Sequence, residues 1–282
     1  MSDQAQALRE LIKAQSAPNM NVITVTGAKG GVGKSSVALN LSIALNKRGK
    51  RTLVVDMDLG LANIDVMLGT KTEYDLLSVI EGSRDIHDII GTGICGVKYI
   101  SGGSGMEELV NLDETAVGRI ITQLLCLEDV ADTIIFDTGA GISEIILRLI
   151  SASNDTLLVT MPEPTSFMDA YALVKIMSQR KINPNIKLII NKADTEREAQ
   201  SAAEGFISIA EKYSGIAIKH LGYILNDEHM VRAVKLQVPL LVSFPASKAA
   251  RNLELLADTY MDIKTIDETG LMGFLKRLFG GQ

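Results

Sequence analysis

Thr26-Gly27-Ala28-Lys29-Gly30-Gly31-Val32-Gly33-Lys34-Ser35-Ser36 reads as a phosphate-binding loop. The apolar run Val22-Ile23-Thr24-Val25 leads into it, and a helical pattern starting near Lys34 leads out. Glycines at 30, 31 and 33 let the backbone curl, so that several N–H groups face one concavity at the positive end of the following helix. Gly30, Gly31, Val32, Gly33, Lys34, Ser35 and Ser36 are therefore expected to hold a nucleotide. Lys34 would reach the β- and γ-phosphates, and the Ser35 hydroxyl would ligate Mg²⁺.

The strict pattern, G-x-x-x-x-G-K-[ST], wants glycine at 28 and finds Ala28. The loop carries a second lysine, Lys29, and two lysines in one phosphate loop need two anionic tasks. Lys34 serves the nucleotide of its own subunit. Lys29 is expected to reach a nucleotide held by a facing subunit, a trans-acting cation of the arginine-finger kind. This deviant loop resembles that of the MinD/ParA family of ATPases, and the resemblance implies an ATP-dependent homodimer with ATP and Mg²⁺ as cofactors.

The chain has 282 residues, 46% of them hydrophobic and 22% charged, which is ample for a globular core. A net charge of −6 argues against a general polyanion-binding surface, so no direct nucleic-acid contact is expected. Cys95 and Cys126 have no C-x-x-C spacing and fit a reducing compartment. No signal segment or membrane-spanning run is evident. The expectation is a cytoplasmic protein, peripherally associated with the inner face of the cell membrane in its ATP state.

Apolar runs alternate with helix-period segments along the chain. The expected fold class is α/β: a single doubly wound, mostly parallel sheet with helices on both faces; the family resemblance implies the SIMIBI class of P-loop NTPases. Thr52-Leu53-Val54-Val55-Asp56-Met57-Asp58 is a strand ending in two acids whose side chains point to opposite sides. Asp56 is assigned to the magnesium water shell, and Asp58 to orienting or deprotonating the attacking water. Thr133-Ile134-Ile135-Phe136-Asp137 is the Walker B strand, with Asp137 on the metal. Thr138-Gly139-Ala140-Gly141 follows as a turn able to sense the γ-phosphate. Gly139 departs from the family's more usual residue there and is expected to loosen the loop.

Met161-Pro162-Glu163-Pro164 follows another central strand, and the family resemblance makes Glu163 a dimer-interface residue. Lys187-Leu188-Ile189-Ile190-Asn191-Lys192-Ala193-Asp194 supports two readings. Asn191 resembles the MinD-family asparagine that reads adenine. Asn-Lys-x-Asp is also the guanine signature of GTPases, in which the acid accepts from N1–H and N2–H₂. Adenine is the expectation, with Asp194 as the N-cap of the next helix. Asn226 lies in the loop that would line the base pocket.

The two ends carry further patterns. Residues 1–19 contain Asp3-Gln4-Ala5-Gln6-Ala7-Leu8-Arg9, similar to the D-Q-A-x-x-L-R segment of the FlhG group within the family. That resemblance implies a detachable activator of an FlhF-type GTPase, with Gln4 offered to the GTP site, Leu8 as apolar anchor and Arg9 beside it. It also implies flagellar C-ring components, and in some bacteria a flagellar transcription activator, as partners. Residues 20–263 are expected to form the ATPase domain, and 264–282 a spacer and an amphipathic helix. Leu271, Phe274, Leu275, Leu278 and Phe279 make a complete apolar stripe flanked by Lys276 and Arg277. This resembles the tail with which MinD binds anionic membranes; packing on its own domain is the alternative. The function implied is an ATP switch for flagellar number and placement. Division-site placement of the MinD type, DNA segregation of the ParA type and a signalling GTPase, resting on Asp194, are the other readings.

Overall fold

The computed structural model describes residues 20–58, 63–102, 122–124, 126–262 and 270–279. Its strands are β1 (Asn21–Thr26), β2 (Thr52–Met57), β3 (Ile90–Thr92), β4 (Lys98–Ile100), β5 (Thr133–Thr138), β6 (Asp155–Thr160), β7 (Ile186–Ala193) and β8 (Ile218–Leu225). They form one eight-stranded sheet in the order β3-β4-β2-β5-β1-β6-β7-β8. All neighbours are parallel except β3, which runs antiparallel to β4 along the edge. The expected doubly wound sheet is present, with this short edge strand added.

The helices are α1 (Lys34–Lys47), α2 (Asn63–Leu68), α3 (Leu76–Ile80), α4 (Glu144–Ala152), α5 (Pro164–Gln179), α6 (Glu196–Ser214), α7 (Glu228–Leu236), α8 (Leu240–Ser243), α9 (Lys248–Asp262) and α10 (Gly270–Phe279). Central strands buried on both faces read as continuous apolar runs, and their alternation sorts them onto two layers. Ile23, Val25, Val54, Ile135, Leu157 and Ile189 face α1 and α9. Val22, Leu53, Val55, Ile134 and Phe136 face the other way, against α4 and α10. Leu158, Leu188 and Ile190 lie on that second side under α5 and α6.

β1 sits between β5 and β6, so the chain turns back across it and the loops after β1, β2 and β5 gather at one end of the sheet. That is the switch-point crevice in which α/β sheets bind ligands. Elsewhere in the sheet, a buried Lys187 is paired with Asp155 on the neighbouring strand, and Asp155 also accepts from Asn185 Nδ2 and the Tyr260 hydroxyl at 2.6 Å each. These polar partners satisfy the buried charges and tie α9 to β6.

Helix α10 closes the second layer. Leu271, Phe274, Leu275 and Leu278 are buried, and Phe274 stacks on Phe136 at 5.2 Å between ring centroids. Arg277 donates from Nε and Nη2 to the Ala152 carbonyl at 3.0 and 2.6 Å, satisfying the C-terminal end of α4. The apolar stripe of the tail is thus docked on its own domain in this conformation. Gln4, Leu8 and Arg9 lie outside the described residues, as does the side chain of Lys276.

Candidate functional site

The cradle is built where β1 gives way to α1. Gly33 takes φ = 96° as the N-cap of α1 and makes no side-chain cap, leaving the first N–H groups of the helix open to a ligand. Only glycine fits there, since a Cβ would lie 2.3 Å from Asn191 Nδ2. Gly27 has the same constraint, a Cβ falling 2.5 Å from the Val159 carbonyl oxygen. Asn191, at the end of β7, donates from Nδ2 to the Val32 carbonyl at 2.7 Å, and its Oδ1 accepts from Lys192 N at 2.9 Å. It therefore braces the loop, while retaining one N–H and one lone pair for a base.

Lys34 is buried, and its environment pulls its pKa both ways. Burial pushes it down; Asp137 and then Asp58 draw it back up. Asp137 is fully buried, and neither carboxylate oxygen receives a hydrogen bond. Burial pushes its pKa up to about 8, tempered by the nearby Ser35 hydroxyl and raised further by Asp56. An orphaned buried acceptor pair beside Ser35 fits a hydrated divalent cation held by Ser35 and Asp137. Such an ion would supply the positive charge that neutralises phosphate oxygens and lets both carboxylates ionise.

Asp56 pairs in register with Asp137 on the adjacent strand. Its oxygens are already engaged, accepting from Asp58 N at 3.0 Å and Ile64 N at 3.1 Å. Burial raises its pKa to about 6 against those two bonds. Asp56 thus ties the residue after β2 to the first turn of α2. Asp58 accepts from Asn63 Nδ2 at 2.6 Å, a contact that orients its carboxylate. Sequence reasoning placed Asn63 in a stretch resembling the family's switch I region but gave it no role of its own.

Gly139 packs close to Asp58, where a Cβ would sit 2.8 Å from Asp58 Oδ1. The turn after β5 is also tied to the cradle, Gly141 N donating to the Ala28 carbonyl at 2.9 Å. Lys29 Nζ donates to Glu163 Oε2 at 3.1 Å and Thr165 Oγ1 at 2.9 Å within the same chain. Glu163 is the residue before Pro164, which opens α5, and it makes no cap, so its carboxylate is available to Lys29. The two residues assigned to a dimer interface are brought together in one protomer. The expectation for Asp194 is corrected: Thr195 is the N-cap of α6, accepting from Glu198 N at 3.1 Å. Asn226 Nδ2 donates to Asp194 Oδ1 at 3.2 Å, so the loops after β7 and β8 meet.

Comparison with known proteins places this geometry. A family model, ParA, described as NUBPL iron-transfer P-loop NTPase, matches residues 19–261. The chain belongs to the ParA/MinD family of P-loop NTPases. It is 34% identical to the antiactivator FleN of Pseudomonas aeruginosa, over 84% of this chain and 85% of that one. It is 31% identical to the flagellum site-determining protein YlxH of Helicobacter pylori, over 99% and 98% of the two. Among solved structures it resembles the cell division ATPase MinD of Pyrococcus furiosus, with a TM-score of 0.69 and 26% identity, over 86% of this chain and 98% of that one. The MinD of Pyrococcus horikoshii in complex with Mg-ADP gives 0.67 and 25%, over 86% and 96%. The family supports nucleotide hydrolysis. Among the described residues no helix is long and apolar enough to cross a membrane.

The raised pKa of Asp137 sets a pH dependence. The folded chain holds this proton more tightly than the unfolded one, so its stabilising contribution is complete below the ordinary carboxylate range and is lost as pH rises toward about 8. In nucleotide-free protein with chelator, urea unfolding midpoints should fall between about pH 5 and pH 8, and Asp137→Asn should flatten that slope. Parallel slopes in the two proteins would refute the assignment.

Proposed function

We propose that this protein is an ATP-dependent, dimerising switch that regulates flagellar number and placement, cycling on and off the membrane. The observation that carries the reading is the phosphate loop with two lysines: Lys34 is buried at the cradle and Lys29 is held at its rim by Glu163 and Thr165. Likeness to FleN and YlxH, whose names speak of antiactivation and of flagellum siting, supports the flagellar role.

In this mechanism Lys34 binds the phosphates of its own subunit, and Ser35, Asp56 and Asp137 serve Mg²⁺. Asp58, oriented by Asn63, positions the attacking water and takes its proton. Dimerisation releases Lys29 from Glu163 so that its ammonium meets the partner subunit's nucleotide, while Glu163 turns to the opposite protomer. Both side chains of the resting pair are partly exposed, so breaking it costs little.

The tail supplies the membrane arm. Moving Leu271, Phe274, Leu275 and Leu278 out of water is worth roughly 1.5–3 kcal/mol each, whether the acceptor is the groove or the acyl boundary. Docked and inserted states therefore differ by little, and a second factor tips the balance. Two tails on one ATP-bound dimer raise avidity by about 10²–10⁴, and hydrolysis removes that gain. Residues 1–19 act separately, with Gln4, Leu8 and Arg9 stimulating an FlhF-type GTPase. C-ring components and a flagellar transcription activator are the further partners.

Three measurements test these parts. Size-exclusion chromatography of Asp58→Ala should show a dimer with ATP and a monomer with ADP; a monomer at saturating ATP would end the switch reading. Removing residues 270–282 should abolish ATP-dependent pelleting with anionic liposomes, and undiminished pelleting would dismiss the membrane role. Removing residues 1–19 should leave ATP turnover in place while abolishing stimulation of an FlhF-type GTPase; full stimulation by the truncated protein would count against that segment.

A further inference from the structure

β7 leaves the sheet through Asn191-Lys192-Ala193-Asp194, and its ladder to β8 slips between Asn191 and Ala193. The slip takes Lys192 out of the pairing with φ = 58°, a left-handed conformation that is strained for a non-glycine residue. Bulges of this kind re-aim side chains beside functional sites. Here Lys192 Nζ donates to the Gly31 carbonyl at 2.7 Å, one residue before the Val32 carbonyl that Asn191 takes at 2.7 Å. Two consecutive side chains clamp two consecutive carbonyls of the phosphate loop. Asp194, two residues on, is thereby fixed relative to the cradle.

The Asp194 carboxylate has no helix to cap, since Thr195 does that. Its backbone N–H is used by Glu198 Oε2 at 2.7 Å, and its exposed carboxylate accepts from Asn226 Nδ2 on Oδ1. A carboxylate has about four acceptor sites, so most of its capacity faces outward, between the loops that follow β7 and β8. It can only accept. The pairing edge of adenine sets one donor, N6–H₂, beside an acceptor, N1, and gives a carboxylate one bond and one repulsion. The edge of guanine sets N1–H beside N2–H₂, two adjacent donors for two carboxylate oxygens.

We propose that this base pocket accepts guanine nucleotides as well as ATP, with Asp194 reading N1–H and N2–H₂. Asn191 and Lys192 are the positioning residues that hold Asp194 to the phosphate loop. The inference rests on the nucleotide-binding part of the proposed function and adds a second ligand class to the same cradle.

Isothermal titration of GDP, XDP and ADP into the full-length protein and its Asp194→Asn variant tests it. Xanthine has a carbonyl where guanine has the 2-amino group, so the carboxamide of the variant can donate to O2 while accepting from N1–H. GDP should bind the wild-type protein, and the XDP-to-GDP affinity ratio should rise by about 10- to 100-fold in the variant, the discrimination of one bidentate base contact. The ratio compares two ligands on one protein, so a change in folded fraction cancels. An unchanged ratio, or wild-type protein that binds ADP and not GDP, overturns the inference alone. Binding of neither nucleotide would overturn the proposed function with it.

Discussion

A backbone that only glycine can adopt underlies the site. The left-handed Gly33 opens the N-terminus of α1 and lets the Asn191 amide approach where any side chain would stand. Because of that approach, β7 grips the phosphate loop from the side, through Asn191 on Val32 and Lys192 on Gly31. The cradle is therefore more than a turn between a strand and a helix. It is clamped to a strand more than 150 positions away in the chain, as the separation of 159 between Asn191 and Val32 records. Pre-set donors of this kind need no rearrangement when a phosphate arrives, which is what gives them value in a water-poor site.

Around that cradle the electrostatics are unbalanced in a way that calls for a ligand. Asp137 is buried with no hydrogen-bond partner, and its neighbour across the sheet, Asp56, adds like charge. Lys34 is the nearby cation, and burial weakens its own hold on a proton. A metal–phosphate pair would bring both signs of charge into the pocket: cation for the carboxylates, anion for the lysine and the helix terminus. The raised pKa values of Asp137 and Asp56 are the signature of that incompleteness, since strongly perturbed groups in a cleft mark functional sites.

Two further contacts keep a surface group engaged. Lys29 rests on Glu163 and Thr165, and the apolar stripe of α10 rests against Phe136 and its neighbours. The two differ in strength for physical reasons. The Lys29 contact is a partly exposed ion pair, weak in water. The tail buries four large apolar side chains and adds the Arg277 bonds to Ala152, so it needs an equally apolar alternative before it lets go.

Local pattern carried much of this protein in readable form. The phosphate loop, the strands ending in Asp56 and Asp137 and the start of α1 at Lys34 are all set by neighbours in sequence: glycine freedom, apolar alternation and helix period act over a few residues. The antiparallel β3 edge was not legible, because three residues carry too short a period to read. Nor was the fate of the tail, since one amphipathic stripe suits a lipid surface and a protein groove equally. Asp194 shows the same divide. Its motif was visible, but whether it caps α6 or is left to another partner depended on Thr195 taking the cap and on Asn226 arriving from the next strand. Residue types and spacing determined which chemistry was available. Long-range packing decided which partner each group meets, because burial and competition for hydrogen bonds exist only once distant segments are brought together.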